Sequence, residues 1–209
     1  MLHCMLAKED WRCFKKGDDF DFHPGVNLIV GDQGTGKSSM IQAIRAVGSK
    51  KDDHQGVGKK WAYFAELCRI ASYDFEKDNF RTLSYFAGGD ATMFQVASMF
   101  KSHGEMVLTM LEGLIKFDRQ GSHMLFVLDE PDMALSVRSI RRLAKIFKEL
   151  ADKGDQIIAA VHNPFLIWSQ QDVYSIEHRK WMTSKEFIKT QTEETKGAME
   201  NPVKPVPTE

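Results

Sequence analysis

Cysteine is scarce in this chain: Cys4, Cys13 and Cys68 are scattered and odd in number. That supply excludes a disulfide framework and a clustered-thiolate zinc site, and it fits a reducing compartment. Long apolar runs are missing as well; none approaches the roughly 20 residues of a membrane-spanning helix, so no membrane insertion is expected. Neither charge sign dominates, because 28 Lys+Arg face 29 Asp+Glu for a net charge of −1. No global field therefore draws the chain to nucleic acid or to a membrane, and any such contact must be a local patch. Glu9 and Asp10 stand where a secretory signal would carry its apolar core, so a cytoplasmic protein is expected. What the chain does have is core material. A hydrophobic fraction of 43% with 14 Phe over 209 residues suits one ordinary domain.

The most informative stretch is Gly31-Asp32-Gln33-Gly34-Thr35-Gly36-Lys37-Ser38, which fits the phosphate-binding pattern G-x-x-x-x-G-K-[ST]. Val26–Val30 before it reads as a short buried strand, and Ser39–Ala46 after it as a helix. A helix N-terminus offers unpaired N–H groups and the positive end of a dipole to a triphosphate. Gly31, Gly34 and Gly36 let the backbone curl closely round the phosphates. Lys37 is placed to reach the outer phosphates, and the Ser38 hydroxyl to hold Mg²⁺.

Elsewhere the chain reads as alternating strands and helices. Residues 1–25 suggest short strands, with Phe20-Asp21-Phe22 alternating before the turn His23-Pro24-Gly25. Trp11 and Phe14 are either core aromatics or neighbours of an adenine ring. Gly48 to Lys60 is nearly free of apolar residues and reads as a mobile surface loop. Trp61, Phe64, Ala65 and Cys68 have helical spacing, whereas Tyr73–Glu76 and Thr82–Phe86 look like strands. A mostly helical region spans 91–117, with an interruption at Ser102-His103-Gly104-Glu105. Met124–Leu128 and Gln156–Val161 are apolar enough to be buried parallel strands. Between them, Ser136 to Ala151 divides into an apolar face and a basic one, and Gly154 closes it. Asp172–Glu177 suggests a last strand and Ser184–Thr190 a short helix. From Gln191 the composition turns to Glu, Thr, Lys and Pro, so 191–209 is expected to be a disordered tail carrying one minimal polyproline motif, Pro202–Pro205.

Asp129 and Glu130 close the first of those buried strands. Adjacent carboxylates at such a strand end suit metal-nucleotide chemistry: Asp129 can hold Mg²⁺ through its water shell, and Glu130 can polarise an attacking water. With these residues the chain resembles the ABC-type ATPases, over nearly all of residues 20–178. Gly31–Ser38 matches Walker A, and Leu125–Pro131 matches Walker B with its catalytic glutamate. Ser102–Glu105 looks like the signature motif, Asp132–Ser136 occupies the place of the D-loop, and His162 stands where the switch histidine belongs. The pattern departs at His103 and at Ser136, which replaces the usual D-loop aspartate. No Q-loop glutamine is obvious beyond the weak candidate Gln95.

The resemblance implies an α/β P-loop fold of ABC ATPase type. Its mostly parallel central sheet would be flanked by helices, with an N-terminal antiparallel β part and a small helical subdomain at about 91–117. The ATPase domain would span 1–190. ATP and Mg²⁺ are the implied cofactors, contacted by Gly31 to Ser39, with Ser102 and Gly104 closing over the γ-phosphate held by another copy. Glu130, His162 and Lys37 would be catalytic, and the partner would be a second copy in an ATP-dependent homodimer. No sustained heptad lies between Ser38 and Ser102, so no coiled-coil arm is expected. Phe22–Gly31 and the Glu of Ser-His-Gly-Glu are more similar to the DNA-repair and chromosome branch, which includes RecF and SMC proteins, than to transporter motors. Three roles follow as expectations: an ATPase acting on or beside DNA, a transporter motor, or an ATP-gated clamp on a protein partner. The one visible feature for DNA is the basic stripe Arg138, Arg141, Arg142, Lys145 and Lys148.

Overall fold

A computed structural model describes residues 1–48, 53–66, 68–74, 103–116 and 123–200. Strands β1 (Leu2–Ala7) and β2 (Asp19–Asp21) come first, then β3 (Val26–Val30) and helix α1 (Lys37–Gly48). A 3₁₀ helix (His54–Lys60), β4 (Trp61–Ala65) and β5 (Arg69–Asp74) follow. Next are α2 (His103–Lys116), β6 (Met124–Asp129), α3 (Val137–Asp152), β7 (Gln156–Ala160) and α4 (Pro164–Trp168). The described chain ends with β8 (Asp172–Ser175), β9 (Lys180–Thr183) and α5 (Ser184–Glu200).

Six strands form the central sheet in the order β5-β6-β7-β3-β8-β9. Every neighbouring pair is parallel except the β8–β9 hairpin. Alternation along its strands sorts their side chains into two cores. Leu28, Val30, Phe126, Leu128, Ile157, Ala159 and Val161 face one way and pack with α2, α3 and α4. Ile29, Leu125, Val127, Ile158 and Ala160 face the other way, toward α1 and the aromatic residues of the small sheet. Both faces are covered, which is why these strands read as continuous apolar runs rather than alternating ones.

The smaller sheet is antiparallel, in the order β2-β1-β4. Two buried amides tie it and the turn before β3 to the central sheet. Gln156 accepts from the Leu2 N–H at 2.8 Å and donates to the Leu2 carbonyl at 2.8 Å and the His23 carbonyl at 3.0 Å. Asn27 bonds His23 through both ends of its amide, at 2.7 Å each. These bonds satisfy buried backbone groups that the strand ladders leave over.

Helix α3 forms for local reasons. Ser136 caps it, accepting from the Ser139 N–H at 3.2 Å, an interaction worth about 1 kcal/mol. Ile140, Leu143, Ile146, Phe147 and Leu150 are its buried stripe, and Gly154 leaves it in the left-handed region at φ +83°.

Four expectations need correction. Trp61–Ala65 is a strand, not a helix, because its backbone pairs with β1 and Trp61 is buried among Trp11, Phe14 and Phe20. Its strand partner lies more than fifty residues away, outside the reach of local spacing. Within Gly48–Lys60, His54–Lys60 is a 3₁₀ helix with Val57 buried, and Gly58 lies against the Ala46 carbonyl of α1. Strand β9 is not among the expected elements; the Trp181 indole donates to the Asp21 carbonyl and stacks on His23. The last helix spans Ser184–Glu200, longer than the expected short helix Ser184–Thr190. The expected strand Thr82–Phe86, the helix before Ser102, Gln95 and the proline motif lie outside the described residues.

Candidate functional site

Parallel pairing brings the C-terminal ends of β3, β6 and β7 to one edge of the sheet, the edge where open α/β sheets place their ligands. Gly31–Gly36 curls out of β3, and α1 starts at Lys37. Gly31, Gly34 and Gly36 have φ of +148°, +82° and +108°, a region that L side chains rarely adopt. At Gly36 the requirement is also steric, since an added Cβ would clash with Cys13 Sγ.

Lys37 is buried, and its Nζ donates to the carbonyls of Gly31 at 2.8 Å and Asp32 at 2.7 Å. Burial lowers its pKa; the charges of Glu130, Glu177, Asp32 and Asp129 oppose that shift. The loop is braced twice more. Thr35 Oγ1 donates to the Asp32 carbonyl at 2.7 Å, and the Asp32 N–H donates to Glu177 Oε1 at 2.8 Å. A cavity of about 480 Å³ opens beside Gly31, Asp32, Gln33 and His162 and runs to Phe187 and Gln191 on α5.

Across the edge, the Ser38 hydroxyl donates to Asp129 Oδ1 at 3.1 Å. No cluster of three or more His, Cys, Asp or Glu suited to a metal exists among the described residues. The Ser38–Asp129 pair nevertheless fits Mg²⁺, which keeps waters and takes one or two protein oxygens plus those of substrate phosphates. The glycine curl, the α1 N-terminus and Lys37 fit phosphate, which takes N–H donors and positive charge.

Glu130 follows Asp129 in the left-handed region, at φ +50°, which costs a non-glycine residue of order 1–3 kcal/mol. Its N–H donates to the Ala160 carbonyl at 3.0 Å, and its Oε1 lies 3.0 Å from His162 Nε2. The two side chains are half-buried. A carboxylate and an imidazole in contact at a strand end can polarise a water and bind a phosphoryl oxygen.

Other expected residues are less central. Gly104 lies in the first turn of α2, while Ser102 is outside the described residues. Phe14 is core, edge-on to Phe20 and Trp61. Trp11 is half-buried, with the Arg12 guanidinium 4.8 Å over its ring. The basic stripe is largely neutralised: Arg142 pairs with Glu105 and Glu112, Lys145 with Glu149 and Lys148 with Asp152. Arg138 and Arg141 are exposed.

Sequence reading missed Arg12 and Glu177, and it placed Asp132 in the D-loop without giving it a role. Arg12, at φ +53°, donates to Ser39 Oγ at 3.0 Å. Glu177 braces the glycine loop, and Asp132 bonds the backbone at His162. No motif marks the first two; the position of Asp132, two residues after Glu130, was the available signal.

Among known proteins, the family model described as AAA domain matches residues 6–201. A Pyrococcus horikoshii protein, named provisionally as an ABC transporter ATP-binding protein, is 24% identical over 188 residues, covering 75% of this chain and 71% of that one. The SMC head domain from Thermotoga maritima shares the fold with a TM-score of 0.52 and 16% identity, over 83% of this chain and 94% of that one. UvrA2 from Deinococcus radiodurans does so with a TM-score of 0.55 and 14% identity, over 83% of this chain and 35% of that one. A protein described provisionally as a metal-chelate type ABC transporter, in an inward-facing conformation, gives a TM-score of 0.53 and 14% identity, over 89% of this chain and 85% of that one. No helix among the described residues is long and apolar enough to cross a membrane. With the glycine loop, the paired carboxylates and this sheet order in place, the chain belongs to the AAA domain family and shares its fold with these solved neighbours.

Proposed function

We propose that this domain binds ATP with Mg²⁺ and hydrolyses it, closing as a dimer of two copies around the nucleotide. The observation that carries the reading is the Glu130–His162 pair, 3.0 Å apart, on the strand edge that also bears Ser38 and Asp129. Lys37 and the N–H groups of Gly31–Ser39 hold the phosphates. Ser38 and Asp129 hold the metal, which supplies charge neutralisation when bound. Glu130 takes the proton of the attacking water, and its left-handed backbone fixes the carboxylate's direction. His162 donates to the developing charge on the γ-phosphoryl oxygens.

The second copy brings Ser102 and Gly104 over the γ-phosphate. Met133, Val137, Phe165 and Trp168, large apolar side chains left exposed on the segments after Glu130 and His162, favour such a partner surface. We place the domain in DNA repair, genome maintenance or defence, on the strength of the Phe22–Gly31 lead-in and of Glu105 in the signature position. The Pyrococcus relative's name favours a second reading, a transporter motor.

Glu130→Gln tests the mechanism. Nucleotide binding should persist while hydrolysis falls roughly 10²–10⁴-fold, and the ATP-bound variant should be a persistent dimer in light scattering. Wild-type turnover in the variant removes Glu130 from the chemistry; monomers with ATP and Mg²⁺ remove the dimer. A salt titration of DNA binding separates the two roles, since phosphate contacts weaken steeply with salt.

A further inference from the structure

Asp132 is buried beside the site and has no part in the reading above. Its Oδ2 accepts two N–H groups, from His162 at 2.8 Å and from Asn163 at 2.6 Å. Its Oδ1 is buried without a hydrogen bond among the described residues. The turn that carries it is constrained on both sides, with Glu130 at φ +50° and Ala134 at φ +57°. The Met133 N–H donates back to the Glu130 carbonyl at 3.1 Å.

The placement matters because the β6–β7 ladder ends here. Asp129 pairs with Ala160, and the Glu130 N–H to the Ala160 carbonyl is the next bond. Beyond that point the two chains run into separate turns, and the Asp132 carboxylate bridges them. Two donors converging on one ionised oxygen hold more strongly than they would on a neutral acceptor. Burial pushes the carboxyl pKa up, while the N–H groups of His162 and Asn163 pull it down.

We propose that Asp132 is a positioning residue for ATP hydrolysis: it fixes the backbone of His162 so that the imidazole meets Glu130, and leaves nucleotide binding to the glycine loop. The inference rests on the roles given above to Glu130 and His162. A purely structural role is the alternative, because Asn163 also caps α4 by accepting from the Phe165 N–H at 3.0 Å. The two differ in one respect. A positioning residue acts only through His162, whereas a structural one acts whether or not the imidazole is present.

A double-mutant cycle with His162→Ala makes the test, with the whole chain, ATP and Mg²⁺. Asp132→Ala should lower kcat roughly 10–10²-fold, the size of effect that misplacing a catalytic group by about 1 Å produces. KM for ATP should stay within about 3-fold, since the loss falls on the transition state. In the His162→Ala background, the same change should cost less than about 2-fold. Asp132→Asn, whose carbonyl can still accept both N–H groups, should recover most of the lost kcat, and it carries the cycle if the alanine variant does not fold. Equal losses in both backgrounds, or a rise in KM in place of the fall in kcat, overturn the proposal. Wild-type turnover in His162→Ala alone overturns the reading of the site as well; an impaired His162→Ala with additive losses overturns only the role of Asp132.

Discussion

The glycine loop after β3 and the double turn after β6 and β7 share one edge of one sheet, yet they are built in opposite ways. The loop is made from consecutive residues, and the groups proposed to bind phosphate are backbone N–H groups plus one lysine. The double turn is assembled from two segments thirty residues apart, held by the Asp132 and Glu130–His162 contacts. A contiguous backbone cradle is specified by glycines within one segment, with the distant Glu177 bracing it at the Asp32 N–H. An assembled pair depends on the sheet register, so it is vulnerable to changes that never touch a reacting group. In the function proposed above the first binds and the second does chemistry, and variants should separate the two.

The largest separation comes from comparing Glu130→Gln, which should keep binding, with Lys37→Ala. Removing the lysine takes the main point charge from the outer phosphates, so both binding and turnover should fall, turnover by roughly 10²–10³-fold. Equilibrium binding of a labelled ATP analogue checks this, and unchanged affinity would break the division between the two regions.

Gly36→Ala comes next. The new Cβ meets Cys13 Sγ, and φ +108° is strained for alanine, so nucleotide affinity should drop by an amount equivalent to about 1–3 kcal/mol. Adding Cys13→Ala should relieve the steric part and leave the backbone part. Full recovery in the double variant would show that the conformation itself is not required.

A subtler effect concerns pH. Burial lowers the Lys37 pKa from its usual 10.5, so the folded apoprotein binds fewer protons than the unfolded chain in the alkaline window below that value. Stability should therefore rise with pH in that window, by the linkage between protons bound and folding. Phosphate beside the ammonium favours its charged form, so nucleotide binding there should take up a proton and affinity should decline as pH rises. Titration calorimetry in buffers of different ionisation enthalpy measures the uptake. Its absence in the wild type, or its persistence in Lys37→Ala, would assign the shift elsewhere.

The smallest effect is expected away from both regions. Arg142 bridges α3 to Glu105 and Glu112 on α2, but the guanidinium is half-exposed. Arg142→Ala should cost at most about 1 kcal/mol of stability by denaturant melting, and less at high salt. A larger loss, with reduced turnover, would make the α2–α3 contact part of the catalytic apparatus.

Sequence alone determined the elements whose cause is local. The run Val26–Val30, the glycine spacing with Lys37 and Ser38, the apolar strand ending at Asp129-Glu130 and the capped amphipathic α3 each contain their own reason for being. They were legible, and with them the α/β class. Trp61–Ala65 was not, because its strand partner is β1 and side-chain spacing does not record who receives a hydrogen bond. Strand β9 depended likewise on pairing with β8 in a hairpin, and on the Trp181 side chain finding Asp21 and His23. The roles of Arg12, Glu177 and Asp132 were set only by tertiary structure. Each is an ordinary polar residue in its own segment; Glu177 and Asp132 join the site because parallel pairing carries the ends of β3, β6, β7 and β8 to one edge, and Arg12 reaches Ser39 from the turn between β1 and β2 of the small sheet. Local chemistry writes the loop; the register of the sheet decides what faces it.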